Sequence, residues 1–100
     1  SEVTLHPDGR TVLGRVMRPP ASDLAWWTLD DTTLHQFTRD AELETGPRFS
    51  PDGRWVAYSS SSNGQREVFV SPFPAPAPVQ VSRGGGGPPV WGRDGRTLYY

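Results

Sequence analysis

The sequence predicts an all-β fold built from repeated four-stranded antiparallel sheets. Three observations predict it. A turn motif recurs at nearly constant spacing, a short apolar segment follows each copy, and the 11 Gly and 11 Pro of this 100-residue chain cluster between those segments. Hydrophobic residues make up only 34%, yet aromatics reach 11% with four Trp, a mix that suits short half-buried strands better than a helical bundle.

The motif appears as Leu5-His6-Pro7-Asp8-Gly9-Arg10, Phe49-Ser50-Pro51-Asp52-Gly53-Arg54 and Trp91-Gly92-Arg93-Asp94-Gly95-Arg96. The aspartates are 44 and 42 residues apart. In Ser50-Pro51-Asp52-Gly53, proline presets φ for the first central position of a type I turn. Asp suits the second, and Gly takes the left-handed conformation that closes a bulged hairpin. His6-Pro7-Asp8-Gly9 fits the same scheme; Gly92-Arg93-Asp94-Gly95 keeps Asp-Gly but lacks the proline. Each motif therefore joins two antiparallel strands.

In the first unit the predicted strands are Glu2 to Leu5, Thr11 to Met17, Leu24 to Leu29 and Leu34 to Thr38, with a loop at Arg18-Pro19-Pro20-Ala21-Ser22. The second unit reads as Pro47 to Phe49, Trp55 to Ser59, Glu67 to Val70 and Val79 to Val81. Its second and third strands are joined by a polar loop, Ser60 to Gly64, carrying the hairpin signal Asn63-Gly64. Pro72 to Pro78 reads as an extended crossing and Gly84 to Gly87 as a flexible passage. A third unit opens at Pro88-Pro89-Val90-Trp91 and reaches Tyr100 within its second strand. Four strands every 42 to 44 residues is the period of a propeller blade. The fold expected is a partial β-propeller: blade 1 over residues 1–46, blade 2 over 47–87, and the first strands of blade 3 over 88–100. Since propellers close with four to eight blades, this reading expects the remaining blades elsewhere in a longer chain, in preference to a ring of about three copies.

The run Phe49-Ser50-Pro51-Asp52-Gly53-Arg54-Trp55-Val56-Ala57-Tyr58, followed by Glu67-Val68-Phe69-Val70, resembles the TolB-type, WD-repeat-like propeller repeats of bacteria. A narrower likeness lies in Val70-Ser71-Pro72-Phe73-Pro74 and Gln80-Val81-Ser82-Arg83-Gly84-Gly85, which resemble propellers fused to bacterial serine/threonine protein kinases. Related repeats occur in periplasmic TolB and in the accessory propellers of prolyl-oligopeptidase-type peptidases. The resemblance implies a non-catalytic scaffold or sensor module binding a protein or peptide, on the extracytoplasmic side of a bacterium. A peptidase-associated or carbohydrate-binding propeller is the alternative. The first unit departs from the pattern in His6, where Ser is usual, and in Ala25, where a large residue is common.

Composition sets further bounds. The formal charge of −1, from ten Arg against eleven Asp and Glu with no charged block, gives no footprint for nucleic acid. Without Cys there is no disulfide or thiol nucleophile. No apolar run is long enough for a bilayer, and no signal peptide is visible. Asp8, Asp52 and Asp94 read as turn residues, not as metal ligands, because successive copies sit on separate sheets. His6 and His35 are the only histidines, and neither stands in a nucleophilic triad pattern. The acidic stretch Asp30, Asp31, Asp40, Glu42 and Glu44 reads as a solvated edge. The candidate ligand-binding residues are Trp26 and Trp27, which as strand neighbours face opposite sides, and Arg18 in the adjoining loop. No cofactor or metal site is expected.

Overall fold

The computed structural model describes residues 3–18, 21–38, 44–61 and 65–100. The described residues hold ten strands and no helix. They are β1 Val3–Leu5, β2 Thr11–Arg18, β3 Ala21–Thr28, β4 Asp31–Gln36, β5 Glu44–Phe49, β6 Trp55–Ser60, β7 Glu67–Pro72, β8 Val79–Gln80, β9 Val90–Trp91 and β10 Leu98–Tyr99. Two four-stranded sheets, β1-β2-β3-β4 and β5-β6-β7-β8, are followed by the pair β9-β10, with every pairing antiparallel. The predicted all-β class and its sheet count are what the fold contains.

All three Asp-Gly motifs form the same turn. The N–H groups of Gly9, Gly53 and Gly95 donate to the carbonyls of His6, Ser50 and Gly92 at 2.9, 2.9 and 3.1 Å. Their φ angles are 72°, 74° and 70°. This is the left-handed region that Gly enters without a Cβ penalty. Each aspartate locks its own turn. Asp8 Oδ1 accepts from the N–H of Arg10 and Thr11 at 2.8 and 2.9 Å, and Asp94 Oδ1 accepts from Arg96 and Thr97 at 2.9 and 3.1 Å. Thr11 and Thr97 add their hydroxyls at 2.8 and 2.9 Å. The middle turn has Trp55 in place of that Thr, so its hydroxyl comes from upstream: Ser50 Oγ donates to Asp52 at 2.7 Å and accepts the Trp55 N–H at 3.1 Å.

Several boundaries differ from expectation. β2 and β3 pair continuously as far as Arg18↔Ala21, so Arg18, Ala21 and Ser22 of the expected five-residue loop belong to the ladder; positions 19–20 lie outside the described residues. Asn63-Gly64 also lies outside them. β4 starts three residues early, at Asp31, because the Asp31 carboxylate binds the N–H and hydroxyl of Thr33 and turns the chain there. β7 runs on to Pro72, which pairs with Trp55. The glycine passage is pinned, not free. Gly85 N–H reaches both Glu67 carboxylate oxygens at 3.1 Å, and Gly86 N–H donates to Arg66 O at 3.0 Å. A Cβ on Gly86 would stand 2.8 Å from Val68 Cγ2, so only Gly lets the chain pass so close.

The core lies between the first two sheets. Leu13, Leu24 and Phe37 meet Phe49, Val56 and Tyr58, with Trp26, Phe69 and Phe73 packed around them. Strand alternation sends Val56 and Tyr58 inward and turns Trp55 to the far face, where it is 42% exposed.

Hydrogen bonds from their own turns hold the carboxyls low, Asp8 at about 2 through the N–H groups of Arg10 and Thr11, Asp52 through Ser50 Oγ first, and Asp94 through Arg96 N–H first. Each favours the ionised form in the folded state, so this stability is complete above the unfolded value near 3.8 and is lost as pH falls toward 2. The urea midpoint is expected to fall over that interval, and the drop should be smaller in Asp8→Asn and Asp52→Asn, measured as midpoint against pH.

Candidate functional site

β5, the first strand of the second sheet, packs on β1, β2 and β3 of the first sheet and on β9 of the third. Two hydrogen bonds tie this inner edge together, Phe49 N–H to Thr4 Oγ1 at 3.5 Å and Trp91 Nε1–H to Arg48 O at 3.0 Å. An Asp-Gly turn follows each of these strands, so the three turns form an arc at one end of the inner edge.

Neighbouring turns touch. His6 Nε2 is 3.2 Å from Gly53 O, and its ring meets Phe49 edge-on at 4.9 Å. A Cβ on Gly53 would come within 2.2 Å of His6 Nε2. A Cβ on Gly95 would lie 3.6 Å from Pro51 Cδ. His6 Nδ1 accepts the Asp8 N–H at 3.0 Å, which makes Nε2 the protonated nitrogen of the neutral ring and the donor to Gly53 O. The departure at His6 is therefore what joins the first sheet to the second turn.

The arc presents Arg10, Arg54 and Arg96 to solvent. Arg10 pairs with Asp30 across an exposed surface, a contact worth at most about 1 kcal/mol. The turn carboxylates of Asp8, Asp52 and Asp94 are exposed beside these arginines, so the arc alternates carboxylate and guanidinium groups toward solvent.

The residues singled out from sequence do not converge. Trp26 is half-buried between the sheets, stacked on His35 at 4.1 Å and edge-on to Phe73 at 5.6 Å. Trp27 lies on the opposite face, over Gly14, where a Cβ would be 3.0 Å from its Cη2. Arg18 ends β2 at the far end of the hairpin, with its backbone paired to Ala21 and its side chain outside the described residues. Of the acidic stretch, Asp40 and Glu42 lie outside the described residues, and Asp31 caps the turn of Thr33.

Two features escaped the sequence reading. Phe73, read as part of a plain proline crossing, is the hub of the aromatic packing, 4.8 Å from Phe49, 5.6 Å from Phe37 and 5.9 Å from His6. Its signal was its place in the repeat, immediately after the third strand. The second is a hollow of about 200 Å³ on the open face of the first sheet, lined by Val16, Asp23, Leu24, Ala25, Leu34 and Gln36. Register explains it, because Ala25 stands where the second sheet has Phe69. Asp23 stands where that sheet has Glu67, and its carboxylate is held at the wall by Gln36 Nε2 at 3.4 Å.

No family model matches the chain. It is 30% identical over 63 residues to the uncharacterized protein Atu1656 of Agrobacterium fabrum, covering 63% of this chain and 22% of that protein. Among solved structures it is similar to a TolB-type protein from Agrobacterium tumefaciens, with a TM-score of 0.78 at 24% identity, over 86% of this chain and 32% of the other. TolB from Acinetobacter baumannii matches with a TM-score of 0.84 at 16% identity, over 97% and 25%. The fold is that of a partial TolB-type β-propeller, and the chain spans from about a fifth to a third of the proteins it matches.

Gly53→Ala is expected to destabilise by about 1–3 kcal/mol, from left-handed strain and the His6 clash together. Adding His6→Ala should recover part of it, read as a non-additive double-mutant cycle in urea. Phe73→Ala is expected to cost about 3 kcal/mol in the same assay, because it opens the hub between the sheets.

Proposed function

We propose that the chain is a segment of a non-catalytic binding propeller whose partner docks on the arc of Asp-Gly-Arg turns. The single observation that carries this is the arc itself. Three turns of one design are locked by their own aspartates, packed tip against tip through His6–Gly53 and Pro51–Gly95, and present arginines outward at the end of the inner strands. Such a row is a rigid frame with exchangeable side chains, the arrangement on which scaffold folds place recognition. Arg54 and Arg96 suit carboxylates of a protein or peptide, which guanidinium groups bind in bidentate fashion, while Arg10 is held by Asp30. In this reading the blades divide between β4 and β5, ahead of the boundary at 46/47 expected from the sequence because β5 begins at Glu44, and again between β8 and β9.

The finer assignment is a kinase-linked sensor on the extracytoplasmic side of a bacterium. Its support is the resemblance carried by Val70 to Pro74 and Gln80 to Gly85, together with the likeness to periplasmic TolB repeats.

The test is photo-crosslinking within the full-length parent protein in its own cell. A crosslinking residue is placed at Arg54 or Arg96 on the arc, or at Val79, which is 63% exposed on the outer strand. The same partner captured from both arc positions and not from Val79 is expected. Capture that is equal at Val79, or absent from the arc, would sink the reading.

A further inference from the structure

Each of the three turns contains an Asp-Gly bond, Asp8-Gly9, Asp52-Gly53 and Asp94-Gly95. That pair is chemically weak, because Gly places no side chain between its own nitrogen and the preceding carboxyl. The Gly nitrogen can attack Asp Cγ. A C–N bond forms and a Cγ–O bond breaks, and the oxygen leaves as water with the amide proton and the carboxyl proton. The product is a five-membered succinimide. Water then opens it at either carbonyl. One opening restores aspartate; the other gives isoaspartate, whose main chain runs through Cβ and Cγ and is one methylene longer.

The attack makes two demands. The Gly nitrogen must lose its proton, and the carboxyl must gain one so that its oxygen can depart. Every turn opposes both. The Gly N–H groups are engaged by the carbonyls of His6, Ser50 and Gly92 at 2.9, 2.9 and 3.1 Å. The carboxylates accept from donors that favour the ionised form, and all three are held low in consequence. Asp8 and Asp94 are bound through both oxygens, with backbone N–H groups on Oδ1 and the Thr11 or Thr97 hydroxyl on Oδ2.

Asp52 is held differently. Trp55 stands where the other turns have Thr, and lines the cleft beside Trp91. The bonds to Asp52 fall on Oδ1, from Ser50 Oγ at 2.7 Å and Arg54 N–H at 3.0 Å. Its glycine is covered from outside the turn. Gly53 is buried, whereas Gly9 is exposed and Gly95 half-buried. The His6 ring lies against Gly53, with Nε2 3.2 Å from Gly53 O and no room left for a Cβ.

We propose that the turns which create these Asp-Gly bonds also protect them from isomerisation, each through its own hydroxyl, and that at Asp52 the His6 ring of the neighbouring sheet completes the protection. The lesion matters most at that site. An extra methylene between Asp52 and Gly53 pushes the glycine off His6 and loosens the joint between the two sheets.

The test ages the full-length parent protein in neutral buffer, folded and in urea. Isoaspartate is counted at each site by peptide mass mapping with electron-transfer fragmentation. Folded protein should form it at all three sites at least about tenfold more slowly than unfolded protein, since the reaction waits for local opening. Thr97→Val should raise the folded rate about fivefold at Asp94 alone, and Ser50→Ala likewise at Asp52 alone, the effect of one lost hydrogen bond. His6→Ala should raise the rate at Asp52 and leave Asp94 unchanged. In urea all variants should age alike. Equal rates in folded and unfolded protein overturn the proposal. So does Thr97→Val with Asp94 unmoved, or Ser50→Ala with Asp52 unmoved. A rise at all three sites together in both variants assigns the protection to the fold as a whole, and overturns the proposal too. His6→Ala with Asp52 unmoved overturns the share given to the neighbouring sheet.

Discussion

A four-stranded sheet of this size has two apolar faces and covers neither by itself, and that constraint organises the molecule. The first sheet is stable because Phe49, Val56 and Tyr58 of the second close over Leu13, Leu24 and Phe37. The second sheet offers its other face, with Trp55 and Val70, to the third pair of strands. Stability is thus shared between neighbours, as in other repeat architectures. The first sheet's own open face shows the constraint from the other side. Leu5, Leu29 and Leu34 are 56%, 65% and 56% exposed there, and Leu5 and Leu29 hold the positions that Phe49 and Phe73 hold in the covered sheet.

The turns show how one local design survives substitution. An Asp-Gly turn of this type uses a hydroxyl on the aspartate, and the chain supplies it by two routes. Thr follows the motif arginine in the first and third turns, and Ser opens the motif in the second. The second route releases position 55 for Trp, which lines the cleft toward the third sheet. The exchange thus couples a turn detail to the surface between blades.

The outer edge has its own clasp. Glu67 at the head of β7 accepts from Ser82 Oγ and from Gly85 N–H, while Ser82 Oγ accepts the Val68 N–H at 2.7 Å. In the first sheet Leu24 N–H donates in the same way to Thr38 Oγ1 at 2.8 Å. β8 has only two residues, and this clasp holds the chain beyond it against the head of β7.

The amino-acid sequence by itself determined the sheet count, the period and the chemistry of each turn, because Pro, Asp and Gly act through their own backbone within a few residues. Strand ends were less legible. The β2–β3 ladder ran on through Arg18 and Ala21, where a loop was expected, and the glycine passage proved pinned by Glu67, a partner 18 residues away in the chain. The candidate site was legible only in its turn motifs. That Trp26 and Trp27 face opposite sides followed from strand alternation, whereas that His6 reaches Gly53 and that Phe73 is the hub were decided by the packing of one sheet on another. Such contacts span 47 residues in the case of His6 and Gly53. No local pattern encodes them, because they arise only when two apolar faces exclude water together.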